Sequence, residues 1–225
     1  MDRVNLTDEV FARHTFLVID FETLTPKGRR PEPIEVAAAA VRARNGLLAE
    51  VGRYHALIRP PVAVPVTPFD TAQTGITQPD LDQASPAAQV MAALDRRLTS
   101  PPYRLVAHNA PHEAGLIADQ HRHCPTLSAT PLLDTVRLAR AAYPHLGSYR
   151  LDAVLRHLHI PIPADRHRAM PDVEVTVRLF ARIVSDGAAA GLWNSLHQID
   201  AVAYLPPKPP LAAGDPPQQQ SLFDT

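Results

Sequence analysis

The chain has 225 residues, a formal net charge of −1 and a hydrophobic fraction of 45%. This suffices for one sizeable core, and the balanced charge excludes a protein that coats nucleic acid by charge alone, though not an enzyme that grips a strand end. A lone cysteine, Cys124, excludes an internal disulfide, the first residues form no apolar signal segment, and no run approaches the ~20 apolar residues of a membrane span, so a cytoplasmic protein without membrane contact is expected.

In chain order, residues 1–13 read as an N-terminal extension and 14–205 as the main domain. Strand-like runs cover 16–20, 34–41 and 51–58. The second, IEVAAAAV, is nearly all apolar, which suits a strand covered on both faces. The Pro-rich connection RPPVAVPVTPFD comes next, unsuited to a central strand. Ser85-Pro86 reads as an N-cap with Pro at the first helical position, opening a helix that runs to Leu98. Leu105-Val106-Ala107 is a short buried strand that leads into a helix over 111–120. Leu132-Leu133 is another, leading into a helix through Val136, Leu138 and Ala139. A further helix carries Leu151, Val154, Leu155 and Leu158 on one stripe, and a last one carries Val173, Val177, Phe180 and Ile183. Strands first and helices interleaved later predict an α/β fold with a mixed sheet. Residues 206–225, rich in Pro and Gln and including PPKPPLAAGDPPQQQ, predict an extended tail outside the core.

The chemistry gathers at element ends. IDFET closes the first strand with Asp20 and Glu22, which share a face because strand side chains alternate with period two. Two acids on one face repel unless a cation lies between them. Glu113 sits in the first turn after the 105–107 strand, and Asp172 comes directly after Pro171 at the start of the last helix, with His167 just before. Carboxylates from three segments suit Mg²⁺, a hard cation that prefers oxygen. Two such ions ~3.5–4 Å apart clamp the attacking and leaving oxygens of a phosphodiester. A histidine beside them can take a proton from water near neutrality. Taken singly, each acid reads more plainly as a turn-former or a helix-dipole partner.

Asp20-Phe21-Glu22-Thr23 and His167-Arg168-Ala169-Met170-Pro171-Asp172 resemble the first and third motifs of the DEDDh family of 3′–5′ exonucleases. Thr74-Gly75-Ile76-Thr77, Leu133-Asp134-Thr135 and Tyr149-Arg150-Leu151-Asp152 are similar to its intervening text, so the resemblance covers roughly residues 14 to 186. It implies an RNase H-like fold, a mixed central sheet flanked by helices. It implies two Mg²⁺, with Mn²⁺ as a substitute: Asp20 bridging both, Glu22 and Asp172 on the first, and His167 as general base. Thr23, Leu24, His108 and Asn109 would bind the substrate, Thr23 at the 3′-terminal nucleotide and Asn109 helping to shape the site. The second motif departs from the family pattern: Glu113 replaces the usual Asp and His112 the usual aromatic. Its extra methylene moves the carboxylate by about 1.5 Å, which a water-mediated contact to the second metal absorbs.

The implied activity is removal of 5′-mononucleotides from single-stranded DNA 3′ ends, in proofreading or repair and beside a polymerase. Two alternatives stand: trimming of RNA ends, since these motifs do not read the 2′-OH, and a non-catalytic binding module with a decayed second motif. In the tail, Gln219-Gln220-Ser221-Leu222-Phe223 resembles the peptide by which proteins bind the bacterial sliding clamp, with Gln219, Ser221, Leu222 and Phe223 as the partner-binding residues. Asp119, His121, His123 and Cys124 form a local cluster that reads as an exposed helix end in preference to a zinc site. Trp193 reads as a core residue.

Overall fold

The structure, a computed structural model, describes Val4 and residues 6–210. Its strands are β1 (Thr15–Leu24), β2 (Glu32–Arg44), β3 (Leu47–Arg59), β4 (Ser85–Pro86), β5 (Tyr103–Ala107), β6 (Leu132–Asp134) and β7 (Tyr204–Leu205). They form one seven-stranded sheet in the order β4-β3-β2-β1-β5-β6-β7. The long strands β1, β2 and β3 pair antiparallel, whereas β5 runs parallel to β1 and β6 parallel to β5. The helices are α1 (Glu9–Arg13), α2 (Pro68–Thr74), α3 (Gln78–Asp82), α4 (Ala87–Asp95), α5 (Pro111–Asp119), α6 (Pro125–Ser128), α7 (Thr135–Ala142), α8 (Leu151–His157), α9 (Ala169–Ala189) and α10 (Leu196–Ala203). Among the described residues, no helix is long and apolar enough to cross a membrane.

Strand alternation sorts the sheet into two cores. Phe16 and Val18 pack with Ala37, Ala39 and Val41 of β2 beneath α7 and α9. Leu17, Ile19 and Phe21 face the other way, toward Val90 and Met91 of α4 and Leu116 and Ile117 of α5. The alanines of IEVAAAAV present little bulk, which lets the 21-residue α9 lie close on β2. Within α9, Gly187 is required by a close approach: a Cβ there would collide with the ring atoms of Trp193. Trp193 is buried as expected, and its indole N–H donates to Val184 O at 2.9 Å.

Two local expectations change, and one connection gains a helix. Residues 9–13 of the expected N-terminal extension are built into the core: Phe11 is fully buried, its ring 4.5 Å from that of Phe16, and Asp8 caps α1 while accepting from Leu196 N–H at 2.7 Å. Ser85-Pro86 does not start a helix. Pro86 is extended, with ψ 155°, and the pair lies parallel to Ile58-Arg59, so α4 begins at Ala87 and ends at Asp95. The Pro-rich connection also holds a helix, α2, opened by a capping box between Thr67 and Asp70 and closed by Gly75 at φ 72°.

Candidate active site

The site forms where β1 ends. Central in the sheet, between β2 and β5, β1 delivers Asp20 opposite Ala37 and Glu22 opposite Glu35. Both acids lie on the α9 side, in alternation with Phe16 and Val18. The pairing register shifts between Glu22 and Thr23, a bulge at the strand's functional end. The start of α9 supplies Asp172. Pro171 is its third residue, where a missing N–H breaks no helical bond, and the Asp172 N–H makes the first one, to Arg168 O at 3.3 Å. Carboxylate oxygens of Asp20, Glu22 and Asp172 all lie within 4.8 Å of one another.

Glu113 approaches from the first turn of α5, only 3% exposed. The turn ahead of α5 is fixed by Asn109, which adopts φ 71° and donates its N–H to Asp134 Oδ1 at 3.2 Å. Positive φ is uncommon outside glycine, and asparagine tolerates it well. His167 stands in the matching place before α9, at φ 65°. Each helix that brings an acid to the site is thus preceded by a left-handed residue.

Burial and mutual repulsion make these acids reluctant to ionise. Burial, then the charges of Glu113, Glu22 and Asp172, hold Asp20 well above the usual carboxylate range. Burial together with Asp172 and Glu35 pushes Glu22 up to about 8. Glu113 is also pushed up to about 8, first by burial and then by Asp134 and Glu22. Burial raises Asp172 too, against the pull of Arg166, with which it is ion-paired, and of His167. Glu113 Oε2 and Asp172 Oδ1 are buried without a hydrogen-bond partner. Crowded, dehydrated oxygens lacking donors are the environment a hard divalent cation satisfies.

The other expected site residues divide. His167 is exposed beside Asp172, and Thr23 is half-buried next to Glu22. Leu24 was expected at the substrate; instead its side chain is buried with Ile34, Val64, Ile76 and Leu81. The bulge breaks the alternation that would have kept it on the Glu22 face. His108 was also expected there, yet both ring nitrogens are engaged internally, Nδ1 with Thr135 Oγ1 and Nε2 with Tyr149 O, each at 2.9 Å. Burial lowers it to about 4, so it is a neutral tie between the end of β5 and the loops around α7 and α8. Gln219, Ser221, Leu222 and Phe223 lie outside the described residues. In the local cluster, Asp119 pairs with Arg30 at 3.0 Å and Cys124 is buried.

Two charged residues at the site carry no obvious mark in the sequence. Arg166 donates through Nε to Asp152 Oδ1 at 2.7 Å and pairs with Asp172, bringing positive charge to the acids. Glu35 is 0% exposed inside the run IEVAAAAV. The available signal was that a lone acid in an otherwise buried strand needs partners.

Residues 17–180 match the family described as Exonuclease. The chain belongs to the exonuclease family. Its acids on β1, α5 and α9, with the histidine before α9, resemble the motifs of the DEDDh 3′–5′ type, with Glu113 at the second motif. It is 31% identical over 181 residues to the PolC-type DNA polymerase III of Oceanobacillus iheyensis, covering 80% of this chain and 12% of that one. It is 32% identical over 182 residues to the PolC-type enzyme of Thermotoga maritima, covering 80% and 13%. The exonuclease thus spans a small fraction of the curated relatives it matches. Among solved structures, the nuclease domain of 3'hExo, a DEDDh family member bound to rAMP, superposes with TM-score 0.68 at 18% identity, covering 80% of this chain and 96% of that one. Exonuclease X in complex with 5′ overhanging duplex DNA gives TM-score 0.59 at 23% identity, covering 84% and 99%. These likenesses establish the RNase H-like exonuclease fold. Membership implies dependence on a divalent metal, and the all-oxygen donor set with its two unpartnered oxygens fits one.

Proposed function

We propose that this exonuclease shortens DNA from its 3′ end, one 5′-mononucleotide at a time, in proofreading or repair. The observation that carries the proposal is the convergence of Asp20, Glu22 and Asp172 within 4.8 Å. In this reading those three acids hold Mg²⁺, or Mn²⁺ in its place, and Glu113 contributes through water at a second position. Bound cations would supply positive charge to the phosphodiester as its oxygens gain negative charge. His167, exposed at the mouth of the cluster, takes a proton from the attacking water. The water oxygen bonds to phosphorus, the bond from phosphorus to the 3′ oxygen breaks, and the shortened strand keeps a 3′-hydroxyl. In the same reading Thr23, half-buried beside the bulge, meets the terminal nucleotide, and the exposed Asn109 helps to shape the site.

DNA is favoured as the substrate because the curated relatives are named as DNA polymerases and Exonuclease X is described with DNA. We assign the tail residues Gln219, Ser221, Leu222 and Phe223 to sliding-clamp binding on sequence grounds, with the Pro-rich segment as spacer. End-labelled single-stranded DNA and RNA, incubated with Mg²⁺, Mn²⁺ or EDTA, test the substrate. Faster trimming of RNA than of DNA would overturn the preference. Removing residues 219–225 should abolish clamp binding and leave cleavage of short oligonucleotides intact; equal clamp affinity would refute the assignment.

A further inference from the structure

We infer that Glu35 is the positioning residue for His167, acting from β2 through Arg168 and the first N–H of α9. The inference rests on reading His167 as the base. Among the described residues the His167 imidazole makes no hydrogen bond, and its backbone stands at φ 65°. What holds it must come from its chain neighbours. The next residue, Arg168, is the N-cap of α9 yet offers no side-chain cap. Glu35, 133 residues earlier, supplies one. Its Oε2 accepts from Ala169 N–H at 2.9 Å and from Arg168 Nε at 3.1 Å. Its Oε1 accepts from Arg168 Nη2 at 2.7 Å and meets His55 Nε2 at 2.6 Å. A guanidinium fork and a helix N–H on one buried carboxylate fix both the side chain and the backbone of the two residues after His167. Asp172, one turn further on, has its own partner in Arg166. Glu35 also lies opposite Glu22 and adds to its charge, so the part of any loss that disappears when His167 is absent is the part that acts through the histidine.

The test is a double-mutant cycle in kcat on single-stranded DNA. Glu35→Gln keeps one oxygen for Ala169 N–H and loses the charged fork, and Arg168→Lys loses the fork from the other side, so either variant carries the test if the other fails to fold. Each should lower kcat about 10- to 100-fold with KM within about twofold, as expected for a misplaced reacting group. In a His167→Ala background the same substitutions should change the residual rate less than about twofold. Equal losses in both backgrounds, or no loss in either variant with His167 present, would overturn the inference. A fully active His167→Ala protein would instead remove the base assignment, and the inference with it.

Discussion

Glu22 and Glu35 face each other across β1 and β2 and titrate in opposite directions. Burial pushes Glu22 up to about 8, and Asp172 and Glu35 add to it. Burial also acts on Glu35, but the hydrogen bonds from Arg168, Ala169 N–H and His55 outweigh it and hold that carboxyl below its usual range. One member of the pair is an internally neutralised strut. The other keeps its need for a cation, and that difference separates scaffold from site within a single cross-strand pair.

The first prediction concerns pH. In the cation-free protein Glu22 and Glu113 stand at about 8, well above the ordinary glutamate value of about 4.3. Across that window the folded state holds more protons than the unfolded one, so their contribution to stability is present below the lower value and lost as pH rises through the upper. In EDTA, this part of the stability should fall between about pH 5 and about pH 8. Mg²⁺ competes with those protons, so it should raise the melting temperature more at about pH 8 than at about pH 6. Melting curves across pH, with and without Mg²⁺, check this; a Mg²⁺ effect that does not grow with pH would contradict it.

The second concerns the replaced acid. Glu113 is buried in the first turn of α5 with an unpartnered oxygen. Glu113→Ala should lower the cleavage rate at least about tenfold, the scale of a lost metal-site group. Glu113→Asp should keep activity and raise Mg²⁺ affinity, read from the rate against Mg²⁺ concentration. An unchanged rate in the alanine variant would remove Glu113 from the site.

The third concerns the scaffold. Gly187→Ala must displace Trp193, which is sealed against α9 and donates to Val184 O. The substitution should cost about 1–3 kcal/mol, the range of an overpacked core, measured by urea unfolding. A loss below about 0.5 kcal/mol, the level of a neutral surface change, would mean that the contact is slack.

The convergence of Asp20, Glu22 and Asp172 was legible in the sequence because each acid sits in a local pattern. Asp20 and Glu22 announce themselves by ending an apolar run two residues apart, and Asp172 by a proline tolerable only in a first turn. The burial of the Leu24 side chain was not legible because a bulge between Glu22 and Thr23 leaves no mark on residue types. The internal hydrogen bonds of His108 were not legible because its partners, Thr135 and Tyr149, lie 27 and 41 residues further on. Glu35 went unnoticed because its seven apolar neighbours in IEVAAAAV dominate the strand signal. Phe11 went unnoticed because a five-residue helix is too short to show a period. The mixed sheet and the long α9 matched the expected pattern of alternation and stripe, since those signals accumulate along an element.

The most direct measurement is the cleavage of a 5′-end-labelled single strand of DNA by the native protein and by Asp20→Ala. With Mg²⁺ the native protein should produce a ladder that shortens by single nucleotides from the 3′ end, while EDTA or the Asp20→Ala substitution should leave the strand intact. The same ladder from the Asp20→Ala protein, or in EDTA, would contradict the assignment of the β1 acids as the metal-holding centre.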